Sequence, residues 1–255
     1  KIMLDRFKTS FIILCLLTMT NCAYCEDNDN KDLDVGKNIF KKEKRAILGL
    51  SLGHFSIDLY AALLVPLYPI ITTKLGINLA LISSIIALGH LVSSMMQPLF
   101  GFIADKLKHR TFMIWGLVFS SVFIPLAVKA PSVGLFLACL LSGMIGNAFF
   151  HPQVSALVKD FNKNNPDLSR DMGIFLGLGT IGYAIGPYIS TSVFNNFGEN
   201  AFLYLSLLGI ITAIFIYFFV PKKPPKENEN KGNFFKIMLE ILKNKTCMFL
   251  TFIST

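Results

Sequence analysis

Residues 52–71 read LGHFSIDLYAALLVPLYPII. Twenty residues of α-helix rise about 30 Å, the thickness of the hydrocarbon core of a bilayer. The stretch is apolar along almost all of that length, yet it carries two ionisable side chains, His54 and Asp58. A carboxylate at mid-membrane costs at least about 2.5 kcal/mol on insertion scales. It persists where it faces a polar cavity, pairs, or carries a proton. The segment therefore reads as a membrane span with a polar site built into it.

The remainder of the chain has the composition of a protein with many such spans. Of 255 residues, 53% are hydrophobic and 16% are charged, against roughly 25% charged in soluble domains. The mean hydropathy is +0.56. A formal net charge of +8 would point to nucleic acid in a soluble protein. Here the basic residues stand between apolar runs, so topology accounts for them and no nucleic-acid partner is expected. The cysteines (Cys15, Cys22, Cys25, Cys139 and Cys247) form no disulfide framework.

Six segments are long enough to cross a membrane, at about 46–73, 77–101, 111–129, 132–158, 172–197 and 201–220. Lys37, Lys41, Lys42, Lys44 and Arg45 precede the first. Lys106, Lys108 and Arg110 follow the second, Lys159, Lys163 and Arg170 follow the fourth, and Lys222, Lys223, Lys226 and Lys231 follow the sixth. The alternate loops hold only Lys74 and Lys129. Positive charge stays on the cytoplasmic side, so the first span is expected to start inside a plasma (inner) membrane. The expected organisation is an all-α polytopic membrane fold. Residues 1–45 form an N-terminal extension with a signal-like apolar run, and 46–220 a six-span unit. Residues 221–245 form a cytoplasmic linker with an amphipathic helix, and 246–255 the start of a seventh span.

His54 and Asp58 are spaced i, i+4 and so lie on one helix face. A carboxyl group there that takes up and releases a proton suits a proton carrier; a static hydrogen-bonded pair that only orients helices is the alternative. His90 lies in the second span and His151 in the cytoplasmic part of the fourth. Three histidines and one aspartate, with no Lys or Arg inside the spans, suggest a shared polar cavity in which any cationic contact to a substrate would be a histidine. No phosphate loop, metal cluster or nucleophile triad is evident, and His54 and Asp58 have no evident third partner. Neither an enzyme, a cofactor nor a metal is expected.

Two further stretches carry motifs. GFIADKLKHR (101–110) resembles the loop motif of the major facilitator superfamily, with Gly101, Ala104, Asp105, Lys106 and Arg110 in place, Ile103 for Leu and Lys108 for Gly. GIFLGLGTIGYAIGP (173–187) is similar to the antiporter signature of drug:proton exporters in that superfamily, through Gly173, Gly182, Gly186 and Pro187. Ser190 and Thr191 replace its later paired glycines, and Cys139 stands near the usual arginine of span four. HFSIDLYAALLVPLYPII (54–71), MMQPLFGFIADK (95–106) and GMIGNAFFHPQVSALV (143–158) together resemble the fosmidomycin resistance family, over about residues 46–220.

The resemblance implies twelve spans in two six-helix halves, with the substrate site between them, and export of an antibiotic driven by proton entry. This chain would supply the N-terminal half. Asp58 with His54 would take the coupling proton, and His90, Gln97, Asn147 and His151 would line the substrate path. Gly101, Asp105, Lys106 and Arg110 would form a cytoplasmic gate. Gly173, Gly182, Gly186 and Pro187 would form a hinge against the second half. The expected partners are a small-molecule substrate, protons, the lipid bilayer and a C-terminal half or second half-transporter. An uptake carrier for a small metabolite and a non-functional half are the alternatives.

Overall fold

The computed structural model describes residues 31–107, 110–161, 168–221 and Lys243. The expected signal-like run and the seventh span lie outside these residues, as does the linker apart from Pro221 and Lys243. Among the described residues the fold is all-helical: α1 (Lys31–Leu63), a 3-10 turn (Val65–Leu67), α2 (Tyr68–Leu75), α3 (Leu79–Leu107), α4 (Thr111–Val128), α5 (Val133–Phe161), α6 (Leu168–Phe197), a second 3-10 turn (Glu199–Ala201) and α7 (Phe202–Phe219). The chain divides into two units, and the bundle belongs to the one that begins at Ala46.

Among the described residues, six helical stretches are long and apolar enough to cross a bilayer: Lys44–Leu75, Leu79–Ala104, Thr111–Val128, Val133–Phe161, Ser169–Phe197 and Glu199–Phe219. Each matches an expected span to within three residues at either end. The first is not one straight helix. Pro66 and Pro69 each remove a backbone donor, and α1 passes into α2 through the 3-10 turn between them. Gly76, left-handed at φ 64°, then stops α2. Asn78 caps α3 by accepting from the Leu81 amide at 2.8 Å.

In the bundle α4 packs on α5 and α7, and α3 on α5. Glycines set how closely the helices approach. Gly116 of α4 and Gly146 of α5 each occupy a place where a Cβ would meet the other's carbonyl oxygen. Helix α1 is wedged against three others. Its Gly53 faces Phe150 of α5 and Ile216 of α7, and its backbone at Phe55 and Leu59 faces Gly182 and Gly186 of α6. Lipid tails are as apolar as leucine, so such contacts rest on close packing and hydrogen bonds rather than on escape from water.

Among the described residues, side-chain hydrogen bonds join α1 to α7. Thr212 donates to the Leu208 carbonyl at 2.9 Å, so the Ser56 hydroxyl, 3.2 Å away, is the donor in that pair. Tyr60 is wholly buried. Its hydroxyl donates to the Leu205 carbonyl at 2.7 Å and accepts from the Gly209 amide at 2.8 Å. Leu205 and Gly209 are i, i+4, the pair that a regular helix joins directly, so the phenol is inserted into the α7 ladder. Tyr60→Phe is expected to cost under about 1 kcal/mol, because those two groups can pair with each other once the hydroxyl is gone. Tyr60→Ala should cost about 3–5 kcal/mol through the cavity it leaves. Unfolding of the two purified variants in mixed micelles measures the contrast.

Candidate functional site: a His–Asp–His cluster in the bundle

The third partner of the His54–Asp58 pair is His151. Asp58 Oδ2 is 3.2 Å from His54 Nε2, and Asp58 Oδ1 is 3.4 Å from His151 Nε2. The carboxylate therefore holds one imidazole on each oxygen. The contact brings His151 of α5 to the level of Asp58 of α1. The tetrapeptide FHPQ explains how α5 delivers it. Phe150 is fully buried and packs against Gly53 beside the pair, and Pro152 removes a backbone donor within the helix. Gln153 accepts from the Met113 amide at 2.6 Å and so holds the start of α4 against α5.

Helix α6 completes the site. The Phe175 carbonyl lies 2.9 Å from His54 Nδ1, and the Phe175 ring stacks on the imidazole with centroids 4.2 Å apart. A carbonyl oxygen only accepts, so His54 Nδ1 carries a hydrogen. In a neutral imidazole Nε2 would then be a bare acceptor, facing an acceptor-only carboxylate at 3.2 Å. That arrangement is repulsive unless a proton sits on Nε2 or on Asp58. The pair is sheltered: the His54 side chain is 8% exposed, Asp58 19%, and His151, on the open side, 27%.

Gly179 does not stand out in the sequence, yet it is part of this site. A Cβ there would lie 2.6 Å from His54 Cε1 and 2.7 Å from Asp58 Oδ2. Its only signal is its place in a glycine-rich helix, which does not say which glycine faces which neighbour. If the cluster carries the coupling proton, Gly179→Ala should slow proton-coupled flux roughly tenfold or more by displacing His54. Gly177→Ala, where no atom lies within 4 Å, should leave it unchanged. Initial rates in proteoliposomes decide between them.

The other expected site residues fall elsewhere. His90 and Asn147 line a small cavity of about 40 Å³ together with Ser93, Ser120 and Tyr68. That is room for two or three waters at roughly 15 Å³ each. His54, Asp58 and His151 are not among its lining residues. Gln97 is half-buried on α3, and Gly101 lies against Pro152 of α5. The side chains of Asp105 and Lys106 lie outside the described residues. Arg110 places its guanidinium 4.9 Å from the centroid of the Tyr217 ring of α7. Gly182 and Gly186 face α1 of the same bundle, Gly173 faces open space, and Pro187 is half-buried.

Six bilayer-length helices among the described residues, with a sheltered ionisable cluster between α1, α5 and α6, define a multi-pass membrane protein with a polar site inside its spans. The chain belongs to the Major Facilitator Superfamily of transporters, whose sequence model matches residues 50–255. It is similar to the fosmidomycin resistance protein of Escherichia coli, 26% identical over 66% of this chain and 41% of that protein. It is also similar to a probable nitrate transporter, NarT, of Staphylococcus epidermidis (29% identical over 63% of this chain and 41% of the relative). Multidrug resistance protein 1 of Bacillus subtilis is 23% identical over 67% of this chain and 44% of its own length. The chain thus spans less than half the length of these relatives.

Proposed function

We propose that this chain is the N-terminal half of a proton-coupled exporter of a small drug-like molecule, working by exchange of substrate against protons. The observation that carries the reading is the His54–Asp58–His151 cluster, a sheltered carboxylate facing one imidazole on each oxygen inside the spans. A proton held between two sheltered side chains, with His151 on the open side, can be loaded from one face and released to the other as the bundle rocks. Two relatives are named for resistance, one to fosmidomycin and one to multiple drugs, which supports export. The glycine pattern of α6 supports it as well. His90, Gln97 and Asn147 would line the substrate path, and Gly101, Asp105, Lys106 and Arg110 would form the inner gate. Gly173, Gly182, Gly186 and Pro187 would form the hinge against the second half. The basic loops support a start of the first span on the cytoplasmic side, in a plasma membrane.

Uptake of a small anion is the second reading, favoured by similarity to a probable nitrate transporter and by a site whose cationic groups are histidines. Proteoliposomes loaded with a pH-sensitive dye separate the two. Substrate placed inside should draw protons inward through an exchanger and drive them outward with it through a symporter. No substrate-dependent pH change with fosmidomycin, nitrate or a panel of cationic drugs would remove both readings.

A further inference from the structure

We propose that His54, Asp58 and His151 form a binding site for a divalent transition ion of the zinc class, taken by the Nε2 atom of each imidazole and by the Asp58 carboxylate. The donor set suits such ions, since imidazole and carboxylate bind zinc, cobalt and nickel readily. The spacing suits them too. Ligands about 2.0–2.1 Å from a tetrahedral ion stand about 3.4 Å from one another. The two histidine–carboxylate separations are 3.2 and 3.4 Å, and the donor atoms of all three residues lie within 4.8 Å of one another. A small closing movement would seat an ion among the three donors.

The surroundings match those of a metal ligand. A ligating histidine usually donates its other ring N–H to a carbonyl or carboxylate, which sets the tautomer and directs the free nitrogen at the ion. His54 does this through Nδ1 to the Phe175 carbonyl at 2.9 Å, and Phe175 stacks on the ring and restrains its rotation. Gly179 leaves space beside both His54 and Asp58. His151 and Asp58 are partly exposed on one side, so water or an anionic ligand has access to a fourth position. The sequence suggested no metal because its ligands come from two distant helices and lack short metal-motif spacing. The inference concerns equilibrium binding and does not rest on the transport reading. An ion seated there would use the lone pairs that a proton uses, so the two would exclude each other.

The test is titration of the native full-length protein, purified in detergent without a histidine tag, with cobalt(II). The expected result is one cobalt per chain, with the visible absorption of a four- or five-coordinate nitrogen–oxygen site that zinc(II) abolishes. Affinity should fall at least tenfold in both His151→Ala and Asp58→Asn. Asp58→Asn preserves side-chain shape, so it reports on the site even if His151→Ala fails to fold. Absence of the absorption band overturns the inference, and so does cobalt binding that Asp58→Asn leaves unchanged. Proton-coupled transport without cobalt binding would overturn the metal site and leave the transport reading standing.

Discussion

Asp58→Asn is expected to abolish proton-coupled transport, at least about 100-fold below the native rate, while leaving insertion and helix packing intact. The amide has the size and shape of the carboxyl group and can still accept from His54 or His151. It cannot take up or release a proton, and it cannot balance a second charge beside two imidazoles. The structure makes Asp58 the shared member of the cluster, since each oxygen faces a different histidine. Loss of His151 would leave the His54–Asp58 pair in place, whereas loss of the carboxylate removes both contacts at once. The measurement is substrate-driven proton flux in proteoliposomes, beside substrate counterflow, which needs no net proton movement. Flux lost with counterflow retained would identify Asp58 as the coupling residue. Both lost would make it a substrate or structural residue, and unchanged flux would remove it from the mechanism.

Gly182→Leu is expected to prevent native packing of the bundle. A Cβ at Gly182 would fall on the Phe55 carbonyl of α1, which is main chain and cannot turn aside. One turn further along α6, a Cβ at Gly186 would lie 2.8 Å from the Leu59 carbonyl oxygen. The two helices are therefore in backbone contact over a full turn. Overpacking in a close-packed interior typically costs about 1–3 kcal/mol for the addition of a methylene or two. Gly182→Ala should fall in that range, and Gly182→Leu well beyond it. Because α6 also carries Phe175 and Gly179, separating α6 from α1 should dismantle the His54–Asp58–His151 cluster together with the interface. Gly173→Ala, with no neighbour within 4 Å, is the comparison and should stay within about 0.5 kcal/mol of native. Melting temperatures of the purified variants, with yield from the membrane fraction, measure the series.

The membrane spans are legible in the amino-acid sequence, and so is the i, i+4 pair of His54 and Asp58. Both are local properties: a crossing demands about 20 apolar residues in succession, and helical periodicity alone puts a residue over its fourth neighbour. His151 is visible there as an ionisable residue inside a span, but its partner is not. The pairing depends on how α5 is rotated and how deeply it sits against α1. That is set by Phe150 against Gly53, by Pro152 within the helix and by Gln153 on the Met113 amide. The same limit applies to the placement of His90. His90 and His151 look equivalent as lone histidines, yet only His151 reaches Asp58, while His90 turns with Asn147 into a separate cavity.

By itself, then, the sequence determined an all-helical membrane protein with six spans of known position, and it named the carboxyl group around which the site is built. Hydrocarbon imposes this, because each crossing must satisfy its own backbone and can hold an ionisable group only where something stabilises it. Only the tertiary structure decided what stabilises Asp58. A second histidine comes from α5, while a carbonyl and an aromatic ring from α6 fix the first imidazole, and Gly179 leaves the space for both. Those partners are set by contacts between helices far apart in the chain. In a membrane such contacts are chosen by close fit of small residues and by hydrogen bonds, and neither shows in the apolar pattern of a single span.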